Sequence, residues 1–577
     1  MKKFVLTVFL LSLAASVPGQ EMTAGALKAM GAPNHPKVEI AWNRYYDSEQ
    51  IGDLCQRLAD AHPGLIKHSI IGASVQGRPL HVLTVTNFDV GEAGGKPAMY
   101  IDGNIHSNEI QGAEVALYTA WFLAESRAEN EWIAQLLDEK TFYIIPTINP
   151  DARDDFVHQA NTPHSPRSGM APRDDDGDGL VDEDPMDDLD HDGNIVMMRR
   201  KSPYGRWKVD ADDPRLLVRA KADEQGQYEL LGWEGVDNDG DGRINEDGPG
   251  YYDPNRNWAW QWQPSHIQYG ADRYPFSIPE DRAVADFVLQ HPNIAGAQSY
   301  HNAGGMILRG PGAAEDSSYV AADKSVYDNI GKTGEEMLPG YRYMVLYKDL
   351  YPAYGGELDW FYGARGIFTF TNELWTPFDY FRKAEKDAGY FGRQKDVYRF
   401  DELLLFREGV IDWKPIKHPQ FGDIEIGGVK KAWTRMPPSF MIEDMCHRNM
   451  AFTLFHAYHL PSVHIDSVSI AKQRGYYKID AIISNSRMTP TRSAHEIRDK
   501  MTPPDIAEIV GANVVSGMVV ANPLMDLSRE QKYQPKRLRL DAVPAMGMVQ
   551  VRWLCKTKPA EIVFTSSKGG SAVFRIP

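Results

Sequence analysis

A chain of 577 residues, 42% hydrophobic and 24% charged, exceeds what one ordinary core organises, so two or more domains are expected. The net charge of −17 excludes a phosphate backbone as the natural partner, because nucleic-acid binding needs a basic face. Beyond the N-terminus no stretch reaches the roughly 20 apolar residues of a membrane span, and three cysteines, Cys55, Cys446 and Cys555, allow at most one disulfide.

Lys2 and Lys3 precede an apolar run over 4–17, with small residues around Gly19. This reads as a signal peptide over 1–19, followed by a lead-in over 20–37, and predicts an exported protein, secreted or periplasmic. An uncleaved anchor is the alternative. Residues 48–62 read as a helix capped by Ser48 and stopped by Pro63-Gly64, with Ile51, Leu54, Cys55 and Leu58 at helical spacing. Apolar runs at 80–85, 98–101, 141–148, 294–300 and 367–371 read as strands, and 109–126, 325–337 and 449–459 as helices. Their alternation predicts an α/β domain over about 38–460, a mixed open sheet flanked by helices. Residues 152–255, rich in Asp, Gly, Pro and Arg, read as excursions from that scaffold. From 462 to 577 the texture changes to period two, as in Val549, Val551 and Trp553, and predicts a C-terminal β-sandwich.

Three chemical features stand at strand ends, where open α/β sheets bind ligands. His106 and Glu109, three apart after the 98–101 run, can face one metal ion from a single turn; a surface His at a helix N-terminus is the bland alternative. His301 ends the 294–300 run and supplies a second imidazole, although a lone strand-end His is more often structural. Glu373 follows the 367–371 run; a carboxylate there is unfavourable without a job or a partner, and beside zinc it can take a proton from water. Cys446, His447, His456 and His459 form a second cluster of ligand types, but His456 and His459 lie among packing residues and read as structural.

These pieces, in order along the chain, resemble the zinc carboxypeptidases of the carboxypeptidase A type. The matching segments are Gly72-Ala73-Ser74-Val75-Gln76-Gly77-Arg78, His106-x-x-Glu109, Pro146-Thr147-Ile148-Asn149-Pro150-Asp151, Asp253-Pro254-Asn255-Arg256-Asn257-Trp258, Ser299-Tyr300-His301, Tyr351 with Gly355-Gly356-Glu357-Leu358-Asp359-Trp360, and Phe370-Thr371-Asn372-Glu373-Leu374. The resemblance implies one catalytic zinc on His106, Glu109 and His301, with Glu373 as the general base. It implies that Asn255 and Arg256 bind a substrate's terminal carboxylate, that Tyr351 closes over it, and that Leu358 floors the side-chain pocket. Arg199, in Met197-Met198-Arg199-Arg200-Lys201, is taken as the arginine that polarises the scissile carbonyl, with Arg200 as the alternative. The implied activity is release of C-terminal residues from peptides or proteins with a free C-terminus. A zinc-dependent N-acyl amino acid deacylase and a non-catalytic calcium-dependent binding protein are the rival readings.

Two acidic insertions, at about 172–194 and 234–249, interrupt the resemblance; residues 174–192 contain eleven acids and no Lys or Arg. Asp174, Asp176, Asp178 and Asp182, and again Asp237, Asp239, Asp241 and Asn245, match calcium loops of the EF-hand type. Neither loop has Glu at position twelve, so the closing ligand must come from elsewhere. A solvated acidic loop is the plain alternative.

Overall fold

The computed structural model describes residues 29–250, 252–383 and 393–577. The expected signal peptide and the first part of the lead-in lie outside the described residues. The central sheet has eight strands: β1 (Ile66–Ala73), β2 (Pro79–Val85), β3 (Ala98–Gly103), β4 (Thr141–Ile145), β5 (Ile294–Asn302), β6 (Met306–Arg309), β7 (Arg342–Val345) and β8 (Phe368–Leu374). Their spatial order is β1-β2-β4-β3-β5-β8-β6-β7. The four central strands β4, β3, β5 and β8 run parallel, while β2 and β6 pair antiparallel to their flanks. Strands covered on both faces read as unbroken apolar runs, which is why they were legible in the sequence.

Six helices matter for the layers: α1 (Ser48–Ala61), α2 (Gln111–Ser126), α3 (Pro279–Gln290), α4 (Ala321–Met337), α5 (Glu357–Arg365) and α6 (Ile442–Tyr458). Alternate side chains of β3 go to opposite faces. Met99 and Ile101 join a core with α1, α2 and α6, whereas Ala98 and Tyr100 join one with α3 and α5. Helix α2 lies between the sheet and α6 and is buried almost all round, as an apolar helix without a polar face must be. Gly103 and Gly112 permit its close approach to β3: a Cβ on Gly103 would stand 2.5 Å from the Gly112 carbonyl carbon. Helix α1 begins where expected, but Asp47 caps it in a capping box with Gln50, and the Ser48 hydroxyl bonds to Asp154 instead.

The excursion over 152–255 holds more order than its composition suggested. It supplies four strands (Met197–Lys201, Trp207–Val209, Leu217–Arg219 and Tyr228–Trp233) to a six-stranded sheet completed by the hairpin Val410–His418 and Gly422–Val429. The C-terminal region forms a five-stranded and a four-stranded sheet around one core that includes Ile479, Ile509, Trp553 and Phe564, a β-sandwich. The run 509–520 is split by a turn after Val510: Asp505–Val510 lies in one sheet and Val514–Asn522 in the other. The Asp323 carboxylate at the start of α4 accepts the Ala494 and His495 amides (2.8 and 2.9 Å), joining the sandwich to the α/β layers. All three cysteines are buried and free. Among the described residues no helix is long and apolar enough to cross a membrane.

Candidate metal centre and cleft

Beyond the carboxyl end of β3 the chain turns through His106 to Glu109 and enters α2, so both side chains point back over the sheet edge. His301 sits in β5 and Glu373 in β8, and the two are direct partners in the parallel ladder. His106 Nδ1 and His301 Nδ1 stand 3.1 Å apart, and each lies close to Glu109 Oε2 (3.0 and 2.9 Å). All three side chains are 2–3% exposed. The three donor atoms converge on one point. Zinc bonds of about 2.1 Å in a tetrahedron place ligand atoms about 3.4 Å apart, so the set fits a His₂Glu zinc site with little adjustment.

The surroundings orient these ligands. Asp253 Oδ1 lies 2.9 Å from His106 Nε2; a proton on Nε2 leaves the Nδ1 lone pair free to face the site. Glu109 Oε1 accepts from Arg167 Nη1 at 2.6 Å and lies 3.4 Å from Arg435 Nη2, while Oε2 accepts the Asn302 amide. Burial pushes the Glu109 carboxyl up, but His106 and Arg167 outweigh it and hold it well below the usual carboxylate range. Glu373 is raised to about 7, by burial first and by the charge of Glu109 second. One cavity is lined by His106, Arg167, Asn255, His301, Tyr351 and Glu373, with Arg256 and Leu358 also on its wall.

Asn255 and Arg256 lie in a short turn, Pro254–Arg256, capped by Asp253. Asn255 Oδ1 accepts the Glu357 amide at the start of α5 (2.8 Å), and Arg256 Nη1 bonds the Asn255 carbonyl (2.6 Å). Tyr351 stands at the cavity rim, 45% exposed. Leu358 lines the wall with Leu308, Leu346 and Ala353. The adjacent Asp359 carboxylate is engaged by the Gly312 amide, at 3.0 and 2.8 Å from its two oxygens.

The structure separates Arg199 from this group. Its guanidinium donates to Glu425 at 2.8 and 2.7 Å and stacks between Tyr228 and Trp413, held in the six-stranded sheet by strand alternation. Arg200 points to Glu229. The cavity guanidinium beside His106 and Glu109 is that of Arg167, which sequence reasoning missed, as it did Arg435 and Asp253. Asp253 had a signal, an acid two residues before Asn255; Arg167 and Arg435 sit in irregular segments with none. The second His/Cys cluster is dispersed: the buried His456 ring packs edge-on against Phe370, and His447 bonds the Tyr118 hydroxyl. In the acidic loops, oxygens of Asp174 and Asp176 gather with one from Asp247, and those of Asp237, Asp239 and Asp241 gather separately. Asp182 and Asn245, expected as ligands, are turned elsewhere. Asp182 accepts the Arg173 and Gly250 amides, and Asn245 donates to the Trp233 carbonyl.

A family model described as zinc carboxypeptidase matches residues 51–155 and 234–391, and a domain of unknown function (DUF8731) matches 462–576. Carboxypeptidase A1 of Sus scrofa is 23% identical over 343 residues, 57% of this chain and 62% of that protein. Carboxypeptidase B of Astacus astacus is 24% identical over 350 residues, 58% of this chain and 87% of that protein. The chain thus covers less than two thirds of the porcine relative, and 28% of carboxypeptidase E of Caenorhabditis elegans, at 30% identity over 131 residues. Among solved structures, carboxypeptidase A from Helicoverpa armigera aligns over 74% of this chain and 76% of its own, with 16% identity and a TM-score of 0.45.

Proposed function

Because the chain belongs to the zinc carboxypeptidase family through residues 51–155 and 234–391, we propose that it hydrolyses the C-terminal peptide bond of peptides or proteins. The observation that carries this reading is the presence of Asn255 and Arg256 in the same cavity as the His106, Glu109 and His301 triad and Glu373. A planar guanidinium at a fixed distance from a hydrolytic centre selects a terminal carboxylate and so selects the last bond.

In this reading His106, Glu109 and His301 hold zinc, which supplies Lewis-acid polarisation and a water of lowered pKa. Arg256 and Asn255 hold the substrate carboxylate, and Tyr351 closes over it from the rim. Leu358 meets the terminal side chain. Glu373, ladder partner of His301, accepts a proton from the attacking water and returns it to the leaving amine. Arg167 donates to the oxygen on which charge develops at the scissile carbonyl. Asp253 keeps the His106 ring in one orientation.

The test is a peptide with a free C-terminus against the same peptide ending in an amide, digested by the zinc-loaded protein and read by mass spectrometry. Stepwise loss of C-terminal residues from the acid, with the amide resistant, is expected. Equal cleavage of both overturns the assignment.

A further inference from the structure

The acidic insertions gather carboxylates at a place away from the cleft. Residues 174–184 and 237–247 share one pattern: Asp174/Asp237, Asp176/Asp239, Asp178/Asp241, Glu183/Glu246 and Asp184/Asp247. Each segment opens with an aspartate whose two oxygens accept amides three and five residues on. Asp174 takes those of Gly177 and Gly179 (2.6 and 3.0 Å); Asp237 takes those of Gly240 and Gly242 (2.6 and 3.1 Å). Such turns shape an acidic loop but do not by themselves call for an ion.

Asp247 does. It is completely buried, neither carboxylate oxygen has a hydrogen-bond partner of good geometry, and the Asp175 amide and Glu183 carboxyl lie beside it. One of those oxygens lies within 4.8 Å of oxygens on both Asp174 and Asp176. Asp247 reaches them from the other loop, across a bridge in which the Asp184 amide donates to the Asp247 carbonyl (3.2 Å). A buried carboxylate without a well-aligned donor is unfavourable as an anion unless a cation meets it. The first loop lacks the Glu at position twelve that closes an EF-hand site, and Asp247 supplies a carboxylate in its place from the partner loop. A third loop makes the contrast. Asp188, Asp190 and Glu234 also gather, but the Lys414 ammonium already sits against Asp190 and Asp192, so that cluster has its own cation.

We propose that Asp174, Asp176 and Asp247 bind a calcium ion, with Asp178 and Glu183 beside it. The ligands are carboxylate oxygens from irregular loops, which suits the variable six- to eight-fold shell of calcium. It suits poorly the rigid octahedron of magnesium or the N/S preference of zinc. The ion staples two segments far apart in sequence: one leaves the cleft just after Arg167 and the other returns to it just before Asp253. The site stands independently of the reaction assigned to the cleft.

The experiment uses the full chain, stripped of divalent ions on a chelating resin and reloaded with zinc. CaCl2 is titrated by calorimetry, and melting is followed with CaCl2 or MgCl2. Calcium should bind and raise the Tm, with magnesium a poor substitute. Asp247→Asn should fold, bind one calcium fewer per chain and lose most of the Tm response. Asp176→Asn, whose residue is exposed and leaves folding undisturbed, should do the same and decides the matter if Asp247→Asn does not fold. No calcium uptake by the wild type at millimolar CaCl2 overturns the proposal. So does wild-type calcium stoichiometry in Asp176→Asn, or an Asp247→Asn protein that melts higher yet binds calcium as before.

Discussion

Arg167→Gln and Arg199→Gln should fail in opposite ways. Arg167 Nη1 lies 2.6 Å from Glu109 Oε1, and its guanidinium lines the cavity with Glu373. A preorganised donor to a developing oxyanion contributes about 10²–10³ in kcat. The Arg167 side chain is 39% exposed, so water substitutes for part of its field and the lower figure applies, about 10². Arg199 is 6% exposed, 3.9 and 4.0 Å from the Tyr228 and Trp413 ring centres, and paired with Glu425. Its removal forfeits two cation–π contacts of about 0.5–1 kcal/mol each. It also takes from Glu425 its close partner, leaving it to Lys201 at 3.8 Å, at about 1–3 kcal/mol. The sum is about 2–5 kcal/mol of stability, while turnover by the folded fraction stays unchanged. The assay is kcat and KM on a free-acid peptide below the melting transition, with thermal melting and zinc content measured on the same samples. Zinc content matters because Arg167 also neutralises part of the Glu109 charge. Near-normal kcat in Arg167→Gln, or a hundredfold loss in a fully folded Arg199→Gln, refutes the reasoning.

Glu373→Gln should keep its zinc and its Tm and lose about 10²–10⁴ in kcat; near-normal turnover removes Glu373 from the mechanism. The wild type should release neutral and apolar terminal residues. Leu358 offers no counter-ion, and Asp359, which also lines the cavity, is engaged by Gly312 and raised by burial to about 7. Leu358→Asp should therefore shift a peptide-library digest towards Lys and Arg, and a wild type that releases mainly Lys and Arg contradicts this pocket reading. In the β-sandwich, burial raises the Asp505 carboxyl to about 6. A carboxyl raised on folding contributes stability below its unfolded pKa near 4, and loses it as pH rises through 6. That amounts to about 2–3 kcal/mol. Asp505→Asn should flatten this decline in urea titrations at pH 4 and pH 7; an equal decline in both proteins assigns it to other groups.

The parts of the site that were legible share one property. His301 and Glu373 end apolar runs buried on both faces and His106 follows one closely, and a polar residue that breaks such a run is conspicuous. Arg167 follows Pro166 in a segment with no periodicity, and only the fold brings it to Glu109. Arg199 was misplaced because the run 197–201 resembled the expected context. Its true constraint is pairing with Gly422–Val429, more than 200 residues later, and that pairing puts it opposite Glu425. The six-stranded sheet was missed for a related reason. Trp207–Val209 and Leu217–Arg219 are three-residue strands, too short for alternation to register. The acidic loops were recognisable as loops, but the approach of Asp247 to Asp174 and Asp176 was not, because Asp247 comes from the other loop.

Glu109, 2% exposed, has consequences for how the chain reaches its native state. Its two oxygens contact His106 and three segments distant in sequence, at Arg167, at His301-Asn302 and at Arg435. Contacts of such separation cost loop-closure entropy before they return any stabilisation, so they form late. During refolding, helix and strand signals should therefore recover ahead of hydrolytic competence. A fragment ending before Arg435 should keep much of the central sheet yet leave one side of the Glu109 carboxylate without its guanidinium.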